Sequence, residues 1–376
     1  MRKLFFLLSF APLCLPAQKS PVPVPVVIEM PVYTADTTRD FVMIEQGYAQ
    51  ARPIPESQTY AWKTRRVTRV DLVFTRYPHD LNAWRSRYQQ LLQTRLDALA
   101  AADSNLFGRS DITWNYVLQT QCRSEAEARQ LFHGFVIYTE EIPATFSPEA
   151  SPTLHQVEAI VRGRESLEDS TAFSVLERNK KKWKNMLVVM DWTGSMYAYG
   201  ASVVLWHSLN LRQDGILHFV FFNDGDSKPT DKKVKGQTGG IYKARTRDID
   251  TVLLKMEQVM RNGHGGDGPE NDVEAILTGI TRIKHFEEVI LIADNRSSVR
   301  DLSLAHKINR PVRIILCGVD DIHPVHEDYL TLARVTGGSI HTIESDIEDL
   351  ARVAEGETIT IRGQKYRLSG GYFHEL

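Results

Sequence analysis

In the stretch VVMDWTGSM, residues 188–196, an apolar run ends on Asp191, and Thr193 and Ser195 follow at every second position. A carboxylate and two hydroxyls presented together are hard oxygen donors, the kind that hard cations prefer. Two more carboxylates stand in comparable places. Asp294 directly follows the apolar run VILIA (289–293), and Asp267 lies in GHGGDGPEND, where glycines let the backbone approach a ligand closely. Asp191, Thr193, Ser195, Asp267 and Asp294 include no basic residue, so their acids would repel one another unless a cation neutralised them. All-oxygen ligation with retained waters suits Mg²⁺, or Mn²⁺ or Ca²⁺ in its place, better than Zn²⁺.

These residues need elements that bring them to one place. From 186 onward the pattern alternates strand and helix, the mark of an α/β sheet. MLVVM (186–190), LHFVFF (217–222), VILIA (289–293), RIILCGV (313–319) and SIHTI (339–343) are near-continuous apolar runs, as strands covered on both faces require, and GGIYKA (239–244) is a weaker strand. Between them, Ile249, Val252, Leu253, Met256, Val259 and Met260 share one helical face that ends at Gly263. The next helix opens at Pro269, with Glu270 and Asp272 complementing its positive end and Val273, Ile276, Leu277, Ile280 and Ile283 on its buried side. Open parallel sheets hold ligands beyond the carboxyl ends of their strands, where Asp191 and Asp294 fall.

With those residues in view, DWTGSM resembles the DxTxS element of the von Willebrand factor A domain family, ADNRSS is similar to that family's third metal loop, and RVTGGSIHTIESDIEDL resembles its last strand and helix. The likeness covers 183–355. It implies a doubly wound, mostly parallel six-stranded sheet in the order 3-2-1-4-5-6, with the strands before Asp191 and Asp294 adjacent. It also implies a metal-ion-dependent adhesion site: Thr193 and Ser195 bind the ion directly, Asp191 and Asp294 bind it or anchor its waters, and the last ligand is an acidic residue of a protein partner. Binding, rather than bond breaking, is the expected outcome. Asp267 stands where many members have threonine, which implies tighter metal binding and weaker capture of an acidic partner. One rival is a structural subunit of a cell-envelope assembly with a stabilising metal. Another is a Mg²⁺-dependent phosphatase with Asp191 as nucleophile; it lacks the second carboxylate such enzymes need, because position 193 is threonine.

The rest of the 376-residue chain supplies context. Residues 1–17 carry Arg2 and Lys3, about twelve mostly apolar residues and Ala17, the pattern of an export signal too short to span a bilayer. Export to the periplasm or cell surface is therefore expected. Residues 18–62, with prolines at 21, 23, 25 and 31, read as an extended arm or linker, 63–180 as a small α+β module, and 356–376 as a β-hairpin turning at 362–364. In the module, Asp80 caps a helix and Ser124 with Glu127 forms a capping box. Forty-five basic against 47 acidic side chains favour neither nucleic acid nor an acidic membrane as partner. Cys122 and Cys317 make no disulfide framework. NDGDSKPTD (223–231) reads as a surface turn, and His323 with His326 lacks a third metal ligand.

Overall fold

A computed structural model describes residues 26–376 apart from 78–80, 108, 110, 143, 148, 212–214, 246, 247 and 267, and without the side chains of 81–87. The export signal, the prolines at 21, 23 and 25, the helix-capping Asp80 and the loop carboxylate Asp267 thus lie outside the described residues. The chain is a mixed α/β protein that divides into two compact units, one ending at Glu140 and one running from Glu141 to Leu376, with residues 63–65 grouped with the second.

The first unit contains β1 (Val26–Met30), β2 (Asp40–Glu45), α1 (Glu56–Lys63), β3 (Arg66–Thr75), α2 (Leu81–Ala102), β4 (Thr113–Gln119), α3 (Glu125–Gln130) and β5 (Gly134–Glu140). Its five strands run in the order β1-β4-β3-β5-β2, so both sheet edges come from the stretch expected to be an arm. The reason is that β1 and β2 find backbone partners: β1 pairs in parallel with β4, and β2 antiparallel with β5. Ile112, Trp114, Tyr116 and Leu118 pack into one core with Leu92, Leu96 and Leu99 of α2, as their spacing requires. The opposite face of β4 is buried too, with polar partners. Asn115 donates to Asp71 at 2.7 Å, and Gln119 donates to Thr75 at 3.1 Å and to the Phe132 carbonyl at 2.8 Å. The Ser124 hydroxyl caps α3 by accepting from the Glu127 amide, while the Glu127 carboxylate takes the amide of Arg123 rather than that of Ser124.

The second unit continues with α4 (Pro152–Val161), α5 (Thr171–Asn179), β6 (Met186–Asp191), α6 (Tyr197–Leu209), β7 (Ile216–Phe222), β8 (Ile241–Arg245), α7 (Ile249–Asn262), α8 (Asp272–Arg282), β9 (Val289–Asp294), β10 (Val312–Cys317), α9 (Glu327–Thr336), β11 (Ser339–His341), β12 (Asp346–Ile347), β13 (Thr358–Ile361), β14 (Gln364–Ser369) and β15 (Tyr372–Glu375). Helices α4 and α5, expected in the amino-terminal module, pack on α6 and belong here. The main sheet has seven strands rather than six, in the order β12-β11-β10-β9-β6-β7-β8. The additional strand is the two-residue β12, antiparallel to β11; β8 is also antiparallel, and the remaining strands are parallel. Leu187, Val189, Leu291 and Leu316 share a core with Val273 and Ile276 of α8 and Leu330 of α9, while α5 and α7 contact the sheet from β10 and β7. Helix α8 starts at Asp272, three residues after Pro269.

The expected hairpin is a three-stranded meander, β13-β14-β15, and it is part of the second unit's core. Arg362 and Gly363 take positive φ at the first turn, as a tight hairpin needs. Tyr366, Leu368 and Phe373 are buried, the Tyr366 hydroxyl donates to the Val325 carbonyl at 2.8 Å, and the Phe373 amide donates to Thr331 at 2.9 Å. Among the described residues, no helix is long and apolar enough to cross a membrane. Truncating a buried aromatic leaves a cavity as well as losing transfer energy, so Phe373→Ala is expected to destabilise the second unit by about 3–5 kcal/mol. Urea denaturation checks this; a change below about 1 kcal/mol would mean that the meander is only loosely attached.

A candidate cation site at the mouth of the sheet

Strand β6 is apolar and fully buried to its last residue, so Asp191 arrives at the sheet end with no exposed surface. Its Oδ1 accepts the amide of Thr193 at 2.8 Å, and its Oδ2 is buried without a hydrogen-bond partner. Trp192 turns inward, where its ring packs near Tyr197 and Phe221 and its Nε1 donates to the Met256 carbonyl. The contact demands glycine at 200, since a Cβ there would sit 2.2 Å from the Trp192 ring. With Trp192 anchored, Thr193 and Ser195 emerge together: their hydroxyls lie 3.4 Å apart, Thr193 buried and Ser195 exposed, on the short turn that leads into α6.

Asp294 ends β9, the strand next to β6, and the pairing of Met190 with Ile292 carries both chains to the same edge of the sheet. Its Oδ1 accepts the amides of Arg296 (2.7 Å) and Ser297 (3.1 Å), and its Oδ2 is again buried and unpartnered. Asn295 fixes this loop, donating to the carbonyls of His323 and Pro324 and accepting the amide of His326. The structure thus brings Asp191, Thr193, Ser195 and Asp294 to adjacent loops. Asp267, the fifth expected residue, is outside the described residues.

The sequence reading missed two further acids. Glu270 is held by its own backbone, its amide donating to Ser298 and its carbonyl accepting from Arg300, and its Oε2 is buried without a partner. Asp272 is fully buried with both carboxylate oxygens unpartnered. Neither is needed to cap α8, because Asp301 accepts the amides of Val273 (3.1 Å) and Glu274 (2.6 Å). The available signal was PEND directly after a glycine-rich loop, two acids flanking an asparagine where a surface helix needs only one.

Asp224 also departs from expectation. The stretch 223–231 does turn at the surface, with 227 and 229–231 exposed, but Asp224 within it is buried and paired with Lys233 at 2.5 Å and Arg300 at 2.7 Å. Arg300 donates as well to the Pro269 carbonyl, so the Asp224–Arg300 ion pair ties the loop after β7 to the loop carrying Glu270. His323 and His326 serve separate local roles, the first beside Asp320 and the second accepting the Asp328 amide at the start of α9.

Electrostatics follow from this burial. Burial pushes Asp191 up to about 7, with repulsion from Asp294 and Asp224 adding to it and the Thr193 hydrogen bonds opposing it. Glu270 is driven up to about 11 by burial and then by Asp191, Asp224, Asp272 and Asp294. Asp272 lies well above the carboxylate range, through burial and then the neighbouring Asp191 and Asp301. A buried ionised carboxylate without a partner is strongly unfavourable, so these acids either take protons or take a cation. Among the described residues no three His, Cys, Asp or Glu side chains form a ready ligand group. The donors at this mouth are mixed, however, with two hydroxyls beside the carboxylates, and that oxygen-only set with its unpartnered buried atoms fits a hard divalent ion.

Set against protein families, curated proteins and solved structures, the chain matches none. Its chemistry therefore rests on the residues above.

A raised folded-state pKa has a testable sign. The metal-free folded state holds a proton on Asp191 that the unfolded chain releases above its ordinary value of 3.8, so the stability this contributes is full below that value and lost as pH climbs through about 7. Asp191→Asn keeps the acceptor for Thr193 and removes the charge. In EDTA the variant and parent are expected to melt close together near about pH 4, and the variant several degrees higher by about pH 8. Equal melting at both pH values, read by circular dichroism, would contradict the burial of an uncompensated Asp191.

Proposed function

We propose that the second unit is a metal-dependent binding module of the von Willebrand factor A type, exported from the cell, in which a divalent ion at the sheet mouth takes its last ligand from a protein partner. Mg²⁺ is the ion the donors favour, with Mn²⁺ or Ca²⁺ as substitutes. The observation that carries the reading is the pair of buried, unpartnered carboxylate oxygens, Asp191 Oδ2 and Asp294 Oδ2, on adjacent parallel strands beside the Thr193 and Ser195 hydroxyls. The strand order supports it: numbered within its sheet, the second unit runs 3-2-1-4-5-6 and then the short added strand.

In this reading each residue has its own task. The ion supplies a positive centre for an oxygen ligand. Thr193 and Ser195 offer neutral donors, and the exposure of Ser195 marks the side from which a partner would arrive. Asp191 and Asp294 supply charge through Oδ2 while their Oδ1 atoms keep the loops folded on backbone amides. Nothing in this arrangement calls for bond breaking, and Thr193 leaves Asp191 without a second carboxylate to act as a general acid at that position.

Mg²⁺ that binds only the folded state stabilises it, by about 2.7 kcal/mol at a hundredfold excess over its dissociation constant. Saturating Mg²⁺ is therefore expected to raise the melting temperature of the parent and not that of Asp191→Ala. A pull-down from an envelope extract is expected to retain a partner in Mg²⁺ and lose it in EDTA or with Asp191→Ala. Stabilisation by Mg²⁺ with EDTA-insensitive capture would favour a purely structural ion, and no response to Mg²⁺ at all would end the metal reading.

A further inference from the structure

The near balance of 45 basic and 47 acidic side chains conceals a separation of charge along the main sheet. Parallel strands β6, β9 and β10 start side by side, Leu187 opposite Val289 and Val289 opposite Val312, so the chain enters all three at the edge away from Asp191 and Asp294. The entering segments 180–185, 282–288 and 307–313 contain nine lysines and arginines against Glu287 and Glu288. The leaving segments 192–196, 295–299 and 318–322 contain one, Arg296, against Asp320 and Asp321. Each of these strands has six residues. That length is about 20 Å, more than twice the Debye length of about 8 Å at physiological salt. The acids at the mouth therefore do not cancel the field of the opposite edge.

Contacts between the entering segments make them one surface. The Glu287 amide donates to the Asn185 carbonyl at 2.9 Å, and the Arg310 guanidinium lies 4.9 Å from the centre of the Phe286 ring. Both acids of the edge are engaged, Glu287 by the Asn185 side chain at 2.6 Å and Glu288 by Arg313 at 3.3 Å. Lys181, Arg282, Lys284 and Lys307 are exposed, and none of them pairs with an acid among the described residues. A helix carboxyl end attracts cations over its last turn, and Arg282, the last residue of α8, meets that need. Lys181, Lys184 and Lys284 lie beyond the last turns of α5 and α8, so helix ends do not account for them.

We propose that this basic edge seats the protein on an anionic phospholipid surface, with the sheet mouth directed away from the membrane. The occupant follows from the chemistry of the edge. Its charges are mostly lysine ammonium groups spread over three loops, which suit a field of mobile phosphate headgroups better than one fixed anion. Trp183 is 4% exposed and Phe286 lies beneath Arg310, so these rings offer nucleic-acid bases little to stack on. The association is peripheral, since no described helix is long and apolar enough to cross a membrane. It is independent of the metal reading, because the two features occupy opposite ends of the strands.

The test is co-sedimentation with lipid vesicles in EDTA, where no metal ion can bridge protein and lipid. It uses the chain from residue 18, the mature form that the export reading implies, because the apolar stretch before Ala17 would itself enter lipid. Mixed vesicles of phosphatidylglycerol and phosphatidylcholine are expected to retain the parent at low salt and release it as salt rises, and pure phosphatidylcholine to leave it in solution. The triple variant Lys181→Gln, Lys184→Gln, Lys284→Gln is expected to melt with the parent and to bind mixed vesicles about a hundredfold more weakly, about fivefold for each lysine. A control that removes equal charge from exposed residues elsewhere, Lys232→Gln, Lys235→Gln, Lys243→Gln, is expected to bind as the parent does. Equal loss in the two triple variants would overturn the assignment to this edge. Failure of the parent to bind mixed vesicles, or equal binding to both vesicle types, would overturn the proposal. Release of bound parent by single-stranded DNA at equal phosphate concentration would overturn it in favour of nucleic acid.

Discussion

The second unit is organised around an electrostatic conflict. Asp191 and Asp294 end neighbouring parallel strands, so the sheet carries two buried carboxylates to the same edge, and Asp294 adds to the cost of ionising Asp191. Each uses one oxygen to fold its own loop onto backbone amides and leaves the other unpartnered. Glu270 and Asp272 add two more buried acids with unpartnered oxygens in the loop that leads into α8. Without protons or a cation this cluster opposes folding, and the rest of the unit must be stable enough to tolerate it.

The supporting structure explains how that tolerance is reached. Trp192 sits between Asp191 and Thr193 and is seated against Gly200 and the Met256 carbonyl, which fixes the direction in which the following hydroxyls point. Asn295 ties the Asp294 loop to the start of α9, and Asp301 satisfies the first turn of α8. The strut of Asp224, Lys233 and Arg300 differs in kind. It is a buried ion cluster in which one acid meets two cations, so removing Asp224 would leave both cations without their shared acid. Its position between the loop after β7 and the loop of Glu270 makes it a positioning device for the site rather than part of the donor set.

Much of the fold was readable because its signals are local. Each long strand of the second unit is a contiguous apolar run, the faces of α7 and α8 follow helical spacing, and the capping serine of α3 needed only a four-residue window. The errors share one cause, dependence on distant partners. β1 and β2 look irregular until β4 and β5 offer them hydrogen bonds. α4 and α5 read as part of the amino-terminal module because nothing in their own residues names α6 as their neighbour. The terminal meander reads as a β-hairpin in sequence because the burial of Tyr366 and Phe373 depends on α9 and the loop before it.

The candidate site divides along the same line. Sequence alone determined that an acid closes β6, that two hydroxyls follow it at alternate positions, and that another acid closes β9, since strand ends and residue spacing are properties of a short stretch of chain. The tertiary structure made β6 and β9 the neighbours that the family resemblance implies, and it alone decided that Glu270 and Asp272 are buried at the helix start and that Asp224, within a surface turn, belongs to an internal ion pair. Charge is a property of a residue, but its cost depends on the water and the counter-charges around it, and those are supplied by loops separated from it along the chain.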